Sequence, residues 1–465
     1  MLRPMTIAFV SSRGIVNRNI LRTGILERLL ADSDVRILLI FPESARALAY
    51  LAEEFRDPRI TIAYVPRHEE SWIEHRLWRP FVNNFVYTES TDVLARVGSA
   101  KVKPVPRWWY PVHRRLFTSL SRHPGLKTAV RRFDRAAFRV TRYDTLFRTH
   151  RPTALFSGSV ISTFDLGLMK AAERHGVPTV AMQKGWDNLH RQLIRNAPNR
   201  FLTQNDLMRT AAVDLQHFAS SAVEVVGFPQ FDVYVRPEGL VEKGELLRRW
   251  GYPPETRIVL YGSEGVWTPK DDEIIRDLLA MRADGAFPSP VLFLLRPHFS
   301  DVRSRRYEVF RGTPGVIVSD DFQWGDIFDD SWDPSRADLQ HFASVLRACD
   351  TMVCFASTLS LDAACVDLPI LNVGYGATFA ADGTDITGNL LRMEHYRPVV
   401  DSGGVEVVTD AAALRRALLQ ALQDRGYRAE GRARLRETMC GPLDGRSGER
   451  IAETLYRTAA GERRP

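Results

Sequence analysis

Short apolar runs rich in β-branched residues recur along the chain, separated by longer stretches with helical spacing of their apolar positions. In the first half these runs are Thr6–Ser11, Val35–Phe41, Ile60–Val65, Ala154–Ser157, Thr179–Gln183, Phe201–Gln204 and Val223–Val226. In the second half they are Ile258–Gly262, Val291–Arg296, Gly315–Ser319, Thr351–Phe355, Ile370–Val373 and Pro398–Val400. Strands alternating with helices predict an α/β protein with parallel sheets. A polar helix over Val241–Trp250 and the turn-rich GYPPET segment lie between the halves, and helical stretches at Asp410–Asp424 and Gly445–Thr458 close the chain. The expected organisation is a first domain over residues 1–235, a second over 236–445 and a terminal helix over 446–465. Two such domains leave a cleft between the carboxyl ends of their sheets, where α/β folds place ligands. Residues from about 66 to 151 break the alternation, with many aromatics among arginines, and read as a helical insertion in the first domain.

Composition narrows the class. A chain of 465 residues exceeds one ordinary core. Its 45% hydrophobic and 26% charged residues exclude a disordered or low-complexity chain. No window holds the roughly 18–20 uninterrupted apolar residues of a membrane-spanning helix. The opening MLRPMTIAFVSS reads as a first strand rather than a signal peptide. Cys349, Cys354, Cys365 and Cys440 form no CxxC pair and read as free thiols of a cytoplasmic protein, with no zinc site.

The net charge of +7 conceals an asymmetry. Between Lys101 and Arg151 stand 14 Lys/Arg against Asp134 and Asp144, leaving 49 basic against 54 acidic residues elsewhere. Basic residues interleaved with aromatics suit an anionic membrane surface, a solvated or packed helical face, or single-stranded nucleic acid. No RNA-binding motif accompanies them, so the expectation is a peripheral membrane element, and nucleic acid is not the expected partner.

Several loops carry candidate chemistry. In Asp350–Gly374 a strand leads through a Ser-Thr loop into a helix. Ser357, Thr358 and Ser360 stand where that helix begins, a position that favours an anion, and Asp362 can accept from a ribose hydroxyl. An ordinary N-cap with an acidic first turn explains the same spacing. Arg296 and His298 flank Pro297 at a strand end, so both can face the cleft and neutralise a diphosphate leaving group. The alternative is a strand-end histidine beside a surface arginine. Gly262, Ser263 and Glu264 follow the first strand of the second half, where small residues admit a phosphate to backbone amides; the Rossmann GxGxxG fingerprint is absent. In the Gln183–Gln192 loop, Trp186 suits a sugar face, Asn188 a sugar hydroxyl, and Asp187 can act as general base. Equally, Asp187 caps the next helix and Trp186 belongs to the core. Asp165 and Glu264 are the other acids in question. The acidic run Ser319–Asp333 lacks EF-hand spacing and is expected to be a solvated loop.

Together these segments resemble a known superfamily. Asp350–Gly374, with Leu361-Asp362-Ala363-Ala364 and Leu368-Pro369, resembles the donor-nucleotide loop of GT-B glycosyltransferases, with Asp362 where many members carry Glu. VVGFPQFD at Val225–Asp232 resembles the Gly-x-Pro-x-x-Asp signature that closes the first domain. LFLLRPHFS at Leu292–Ser300 resembles the strand of CDP-glycerol glycerophosphotransferases and related surface-polysaccharide transferases, with Phe299 in place of a proline. DGRSGERIAETLY at Asp444–Tyr456 looks like the terminal helix that braces the first domain. The resemblance covers roughly residues 180–456 and implies a GT-B fold of two Rossmann-like domains. It places Arg13 and Gly14, after the first strand, at the acceptor or donor phosphates, and implies metal-independent transfer with no cofactor beyond a nucleotide-sugar co-substrate. The expected activity is transfer of a sugar from a nucleotide-sugar to a surface-polysaccharide or lipid-linked glycan acceptor. A CDP-glycerol-type polyol-phosphate transferase, a nucleotide-sugar 2-epimerase and a non-catalytic assembly scaffold remain as alternatives.

Overall fold

The computed structural model describes residues 5–43, 49–98, 102–287, 289–300, 305–320, 328–380 and 382–461. Among the described residues apolar runs form thirteen strands. The first seven are β1 (Met5–Val10), β2 (Val35–Pro42), β3 (Ile60–Val65), β4 (Ala154–Ser157), β5 (Thr179–Met182), β6 (Arg200–Thr203) and β7 (Val223–Val225). They make one sheet in the order β3-β2-β1-β4-β5-β6-β7. The remaining six are β8 (Arg257–Gly262), β9 (Val291–Arg296), β10 (Val316–Val318), β11 (Thr351–Cys354), β12 (Ile370–Val373) and β13 (Val405–Val408), in the order β10-β9-β8-β11-β12-β13. Every pair is parallel. Both sheets reverse direction beside their first strand, at β1/β4 and β8/β11, and such switch points open a crevice at the carboxyl ends of the strands.

One expected strand is wrong. Pro398–Val400 lies in a helix, Arg397–Asp401, because proline fits a first helical turn and cannot donate within a sheet. The sixth strand of the second sheet is the next apolar run, Val405–Val408, paired in register with β12.

Two sequence motifs meet in space. Asp232, from Gly-x-Pro-x-x-Asp, accepts hydrogen bonds from the amides of Ser447 (3.2 Å) and Gly448 (3.1 Å) and so caps the helix Ser447–Ala459. Ile451 and Leu455 of that helix are buried in the first domain's core with Phe9, Ile37 and Phe41. Gly227 has φ +93°, and a Cβ there would meet the Ser447 hydroxyl at 2.4 Å, so glycine is required for this closure.

The insertion between β3 and β4 is helical and pinned from within. Arg195, 6% exposed, binds Asp134 at 2.7 Å and Glu70 at 2.6 Å, and Lys170 binds Asp134 at 2.7 Å. Not all its basic residues face outward. Lys127 and Arg131 are buried and donate to the carbonyls of Leu215 (2.5 Å), Ile194 (2.9 Å) and Gln216 (2.8 Å). Among the described residues no helix is long and apolar enough to cross a membrane.

Candidate functional site

The loop after β5 faces the loops after β8 and β11 across the domain junction. Between them lies a cavity of about 140 Å³, walled by Trp186, Asp187 and Arg191 from the first domain and Glu264, Trp267 and Thr358 from the second. Arg191 reaches over the Trp267 ring, 5.4 Å from its centroid, and bridges the two walls.

The two carboxylates of this cavity have opposite electrostatics. Burial alone would raise the pKa of Asp187, but the Arg191 guanidinium 3.1 Å away, together with Lys184, outweighs it and holds the carboxyl below its usual range. For Glu264 burial wins: its pKa is pushed up to about 7, although the Ser357 hydroxyl and Arg191 pull the other way. Burial pushes His395 down to about 3, so its imidazole is neutral. A fixed anion and a carboxyl that titrates near neutrality thus share one pocket, the arrangement that separates acid and base roles.

A second group of charges lies at the same junction. Burial lowers the pKa of Arg296 to about 10, with Arg18 adding to the effect. Arg18, on the helix after β1, is lowered by burial as well. Asp362 lies close to both guanidiniums and accepts a 2.5 Å hydrogen bond from Tyr234. The Arg296 guanidinium stacks 4.2 Å from the Phe342 ring centroid, and Arg18 lies 5.2 Å from that of Trp332. Two guanidiniums around one carboxylate make a positive site suited to a diphosphate.

The other expected site residues divide between the cleft and the scaffold. Thr358 is exposed at the cavity, and Ser357 links its wall to Glu264 while accepting from the Leu359 amide at 3.3 Å. Ser360 is turned into the core, bonded to Tyr396 at 2.8 Å and Asn372 at 3.2 Å. The Ser263 hydroxyl accepts from Tyr307 (2.7 Å) and from the Gly265 amide (2.9 Å). Gly262 allows close packing, since a Cβ there would meet Leu359 at 2.4 Å. His298 pairs with the Ser300 hydroxyl at 2.7 Å and packs against Gly265, so it and Arg296 take different neighbours. Asn188 donates to Asp187 at 3.1 Å and accepts from the Gly185 amide at 3.3 Å. Trp186 is 6% exposed and meets His395 and Tyr396 edge to face at 5.6 and 5.7 Å, serving both core and cavity wall.

Arg13 and Gly14 lie beneath a part of the chain expected to be in solvent. Residues 321–327 of the acidic run fall outside the described residues, but Phe328–Asp333 is docked on the first domain. Asp330 accepts from the amides of Gly14 (2.8 Å) and Ile15 (3.2 Å), and Asp329 pairs with Arg13 at 3.6 Å and with Arg67. Asp333 is fully buried against Arg22 (2.5 Å), Asn17 (2.8 Å) and Tyr50. Phe328 enters the core beside Phe41, 5.9 Å between centroids. The solvated-loop expectation fails for this part because Asp329, Asp330 and Asp333 each meet a first-domain donor distant in sequence. A Cβ on Gly14 would sit 1.3 Å from the Trp332 carbonyl oxygen. Gly14→Ala is therefore expected to displace this segment, read as faster proteolysis and amide exchange over 328–335 than in the unsubstituted chain; unchanged protection would refute the docking.

Arg191, Trp267, His395, Arg18 and Tyr234 escaped sequence reasoning. Arg191 had a usable signal, since it stands four residues after Asp187, the spacing of a helical ion pair. The others reach the site only through the meeting of the two domains.

No family model matches the chain, and no curated protein matches it. Solved structures do. S. aureus MnaA with UDP aligns over 97% of this chain and 96% of its own, with TM-score 0.54 and 10% identity. The UDP-GlcNAc 2-epimerase from Neisseria meningitidis bound to UDP-GlcNAc aligns over 97% and 99%, with TM-score 0.53 and 10% identity. The wall teichoic acid polymerase TagF soaked with CDPG aligns over 99% and 90%, with TM-score 0.51 and 10% identity. The fold is GT-B. At these identities the likeness concerns architecture, and the chemistry must be argued from the cleft.

Proposed function

We propose that the chain is a glycosyltransferase that moves a sugar from a nucleotide-sugar to a surface-polysaccharide or lipid-linked glycan acceptor. The observation that carries this reading is Glu264, a carboxyl with pKa about 7 in the inter-domain cavity, beside an arginine-rich junction. In the ionised form Glu264 takes the proton of an acceptor hydroxyl as that oxygen bonds to the anomeric carbon. The bond from that carbon to the phosphate oxygen breaks, and the nucleoside diphosphate leaves with the electron pair. Arg296 and Arg18 stabilise the charge it gains, the role a metal would otherwise fill. Asp187 keeps Arg191 in place over Trp267 and, as a fixed anion, supports positive charge developing on the sugar.

One observation favours a second reading. An epimerase acting on C2 of a nucleotide-sugar needs several carboxylates in the cleft, and Asp187 and Glu264 share one cavity with His395. Two of the similar structures hold UDP or UDP-GlcNAc. The two readings part in the absence of acceptor. In deuterated water an epimerase exchanges or inverts C2 of the nucleotide-sugar, visible by proton NMR, whereas a transferase releases nucleoside diphosphate only when acceptor is added.

The first test is a thermal-shift screen with UDP, CMP, CDP, GDP and dTDP. A ligand at 100 times its dissociation constant stabilises by about 2.7 kcal/mol, a readable rise in Tm. Arg296→Ala is expected to weaken the responding nucleotide about 10–100-fold, from loss of a charge-assisted hydrogen bond. A response to CDP alone would turn the reading towards polyol-phosphate transfer. No response at millimolar concentration, with full complementation by an Arg296→Ala, His298→Ala double variant, would leave a scaffold.

A further inference from the structure

We propose that the helical insertion docks the protein on an anionic lipid bilayer, and that its membrane-facing element includes the helix over residues 72–83 as well as the basic segment after it. On that helix Ile73, Leu77 and Phe81 recur every fourth residue beside Trp72. These four are 57%, 56%, 44% and 69% exposed respectively, while Glu74 and Val82 face inward. An amphipathic helix normally buries its apolar stripe; here much of the stripe points outward.

Neighbouring helices extend the surface. The Trp78 ring lies 4.8 Å from that of Phe133, which stands 54% exposed on the helix Pro124–Ala137. Phe81 lies 6.1 Å from Phe117 on the helix Tyr110–Ser121, whose adjacent Leu116 is 42% exposed. Arg195 and Lys170 hold this platform rigidly from beneath through Asp134.

The charge on these helices and just after the last of them selects the partner. Arg76, Arg115, Arg132 and Arg139 are exposed and have no carboxylate partner among the described residues. Aromatic and aliphatic side chains standing among such cations match a bilayer interface, where phosphates meet the arginines and the rings and methyl groups enter the acyl boundary. A second copy of this chain would bring like charge against like across a two-fold axis. Single-stranded nucleic acid would gain from the aromatic faces but nothing from Ile73, Leu77 and Leu116, which offer no ring for a base.

The test is co-sedimentation of the full chain with vesicles of phosphatidylcholine, with and without phosphatidylglycerol. Binding is expected only with phosphatidylglycerol, and it should weaken as salt screens the arginines. A Trp72→Ser, Ile73→Ser, Leu77→Ser variant and an Arg76→Glu, Arg132→Glu, Arg139→Glu variant should each lose about tenfold or more in partitioning. Both should keep the Tm and the nucleotide response of the unsubstituted chain, which separates this inference from the reading of the cleft. No binding to anionic vesicles would overturn it. So would variants that bind as before, a lipid-free dimer that the serine variant dissociates, or binding to single-stranded RNA without binding to vesicles.

Discussion

Glu264→Gln is expected to lower turnover by about two to four orders of magnitude while leaving nucleotide affinity within a few-fold, because a positioned general base contributes on that scale. The amide keeps the shape of the side chain and its hydrogen bond with Ser357 but takes no proton. With the pKa at about 7, the base is active when ionised, so the rate falls as pH drops through that value and levels off above it. Asp187→Asn should move this acid limb to lower pH, since Asp187 is among the charges that raise Glu264, and its loss also frees Arg191 to stabilise the Glu264 carboxylate. Stability reports the same group independently. Between the ordinary value of 4.5 and about 7, the unfolded chain has released a proton that the folded chain retains. Stability therefore falls as pH rises through that window. Glu264→Gln removes the penalty and should gain on the order of 2 kcal/mol at pH 8, read by urea unfolding. Asp165, with pKa also about 7, is no substitute: it is fully buried in the first domain and bonded to Ser12 (2.5 Å) and Ser157 (2.9 Å). Retention of more than about a tenth of the activity by Glu264→Gln would refute the assignment.

How much of this was legible depended on the range of the interactions. Apolar runs locate strands because a strand buried on both faces must be apolar throughout, and almost every strand lies where its run stands. The exception, Pro398–Val400, shows an apolar run overridden by proline. Motif order gave the GT-B architecture, and Asp232 capping the last helix shows why two distant motifs travel together. Site residues were harder. Thr358 lines the cleft, whereas Ser360, two positions on, is consumed by Tyr396 and Asn372, and spacing does not reveal which face of a short helix is covered. Glu264 and Asp187 were both visible as acids. Their different protonation was not, because it depends on Arg191 lying 3.1 Å from one and on the burial of the other. The acidic run misled for a general reason: a cluster of aspartates reads as solvated until the cations that meet it, here Arg13, Arg22 and Arg67, arrive from another domain.

That last contact carries the second large effect. Asp333→Ala is expected to destabilise the protein by about 3–5 kcal/mol, because it leaves a buried arginine short of a charge. Arg22 is 3% exposed; burial opposes its charge, but Glu54 and Asp333 together more than restore it, so it stays a cation. Glu54 is the more exposed partner and cannot compensate alone. The alanine also removes the acceptor that Asn17 and Tyr50 use. Asp333 precedes β11 of the second sheet, whereas Arg22, Asn17 and Tyr50 belong to the first domain, so the loss falls on the joint between them. The expected calorimetric result is a fall in Tm of roughly 3–5 °C for a chain of this size, with a single transition broadening towards two as the domains uncouple. Asp333→Asn, which keeps a carbonyl acceptor but not the charge, should fall between. An Arg22→Met, Asp333→Leu pair should recover only part of the loss: two apolar side chains of similar volume replace the buried ion pair at little cost, but Asn17 and Tyr50 still lack their acceptor. A single sharp transition within about 1 °C of the unsubstituted chain for Asp333→Ala would mean that the acidic segment does not hold the two domains together.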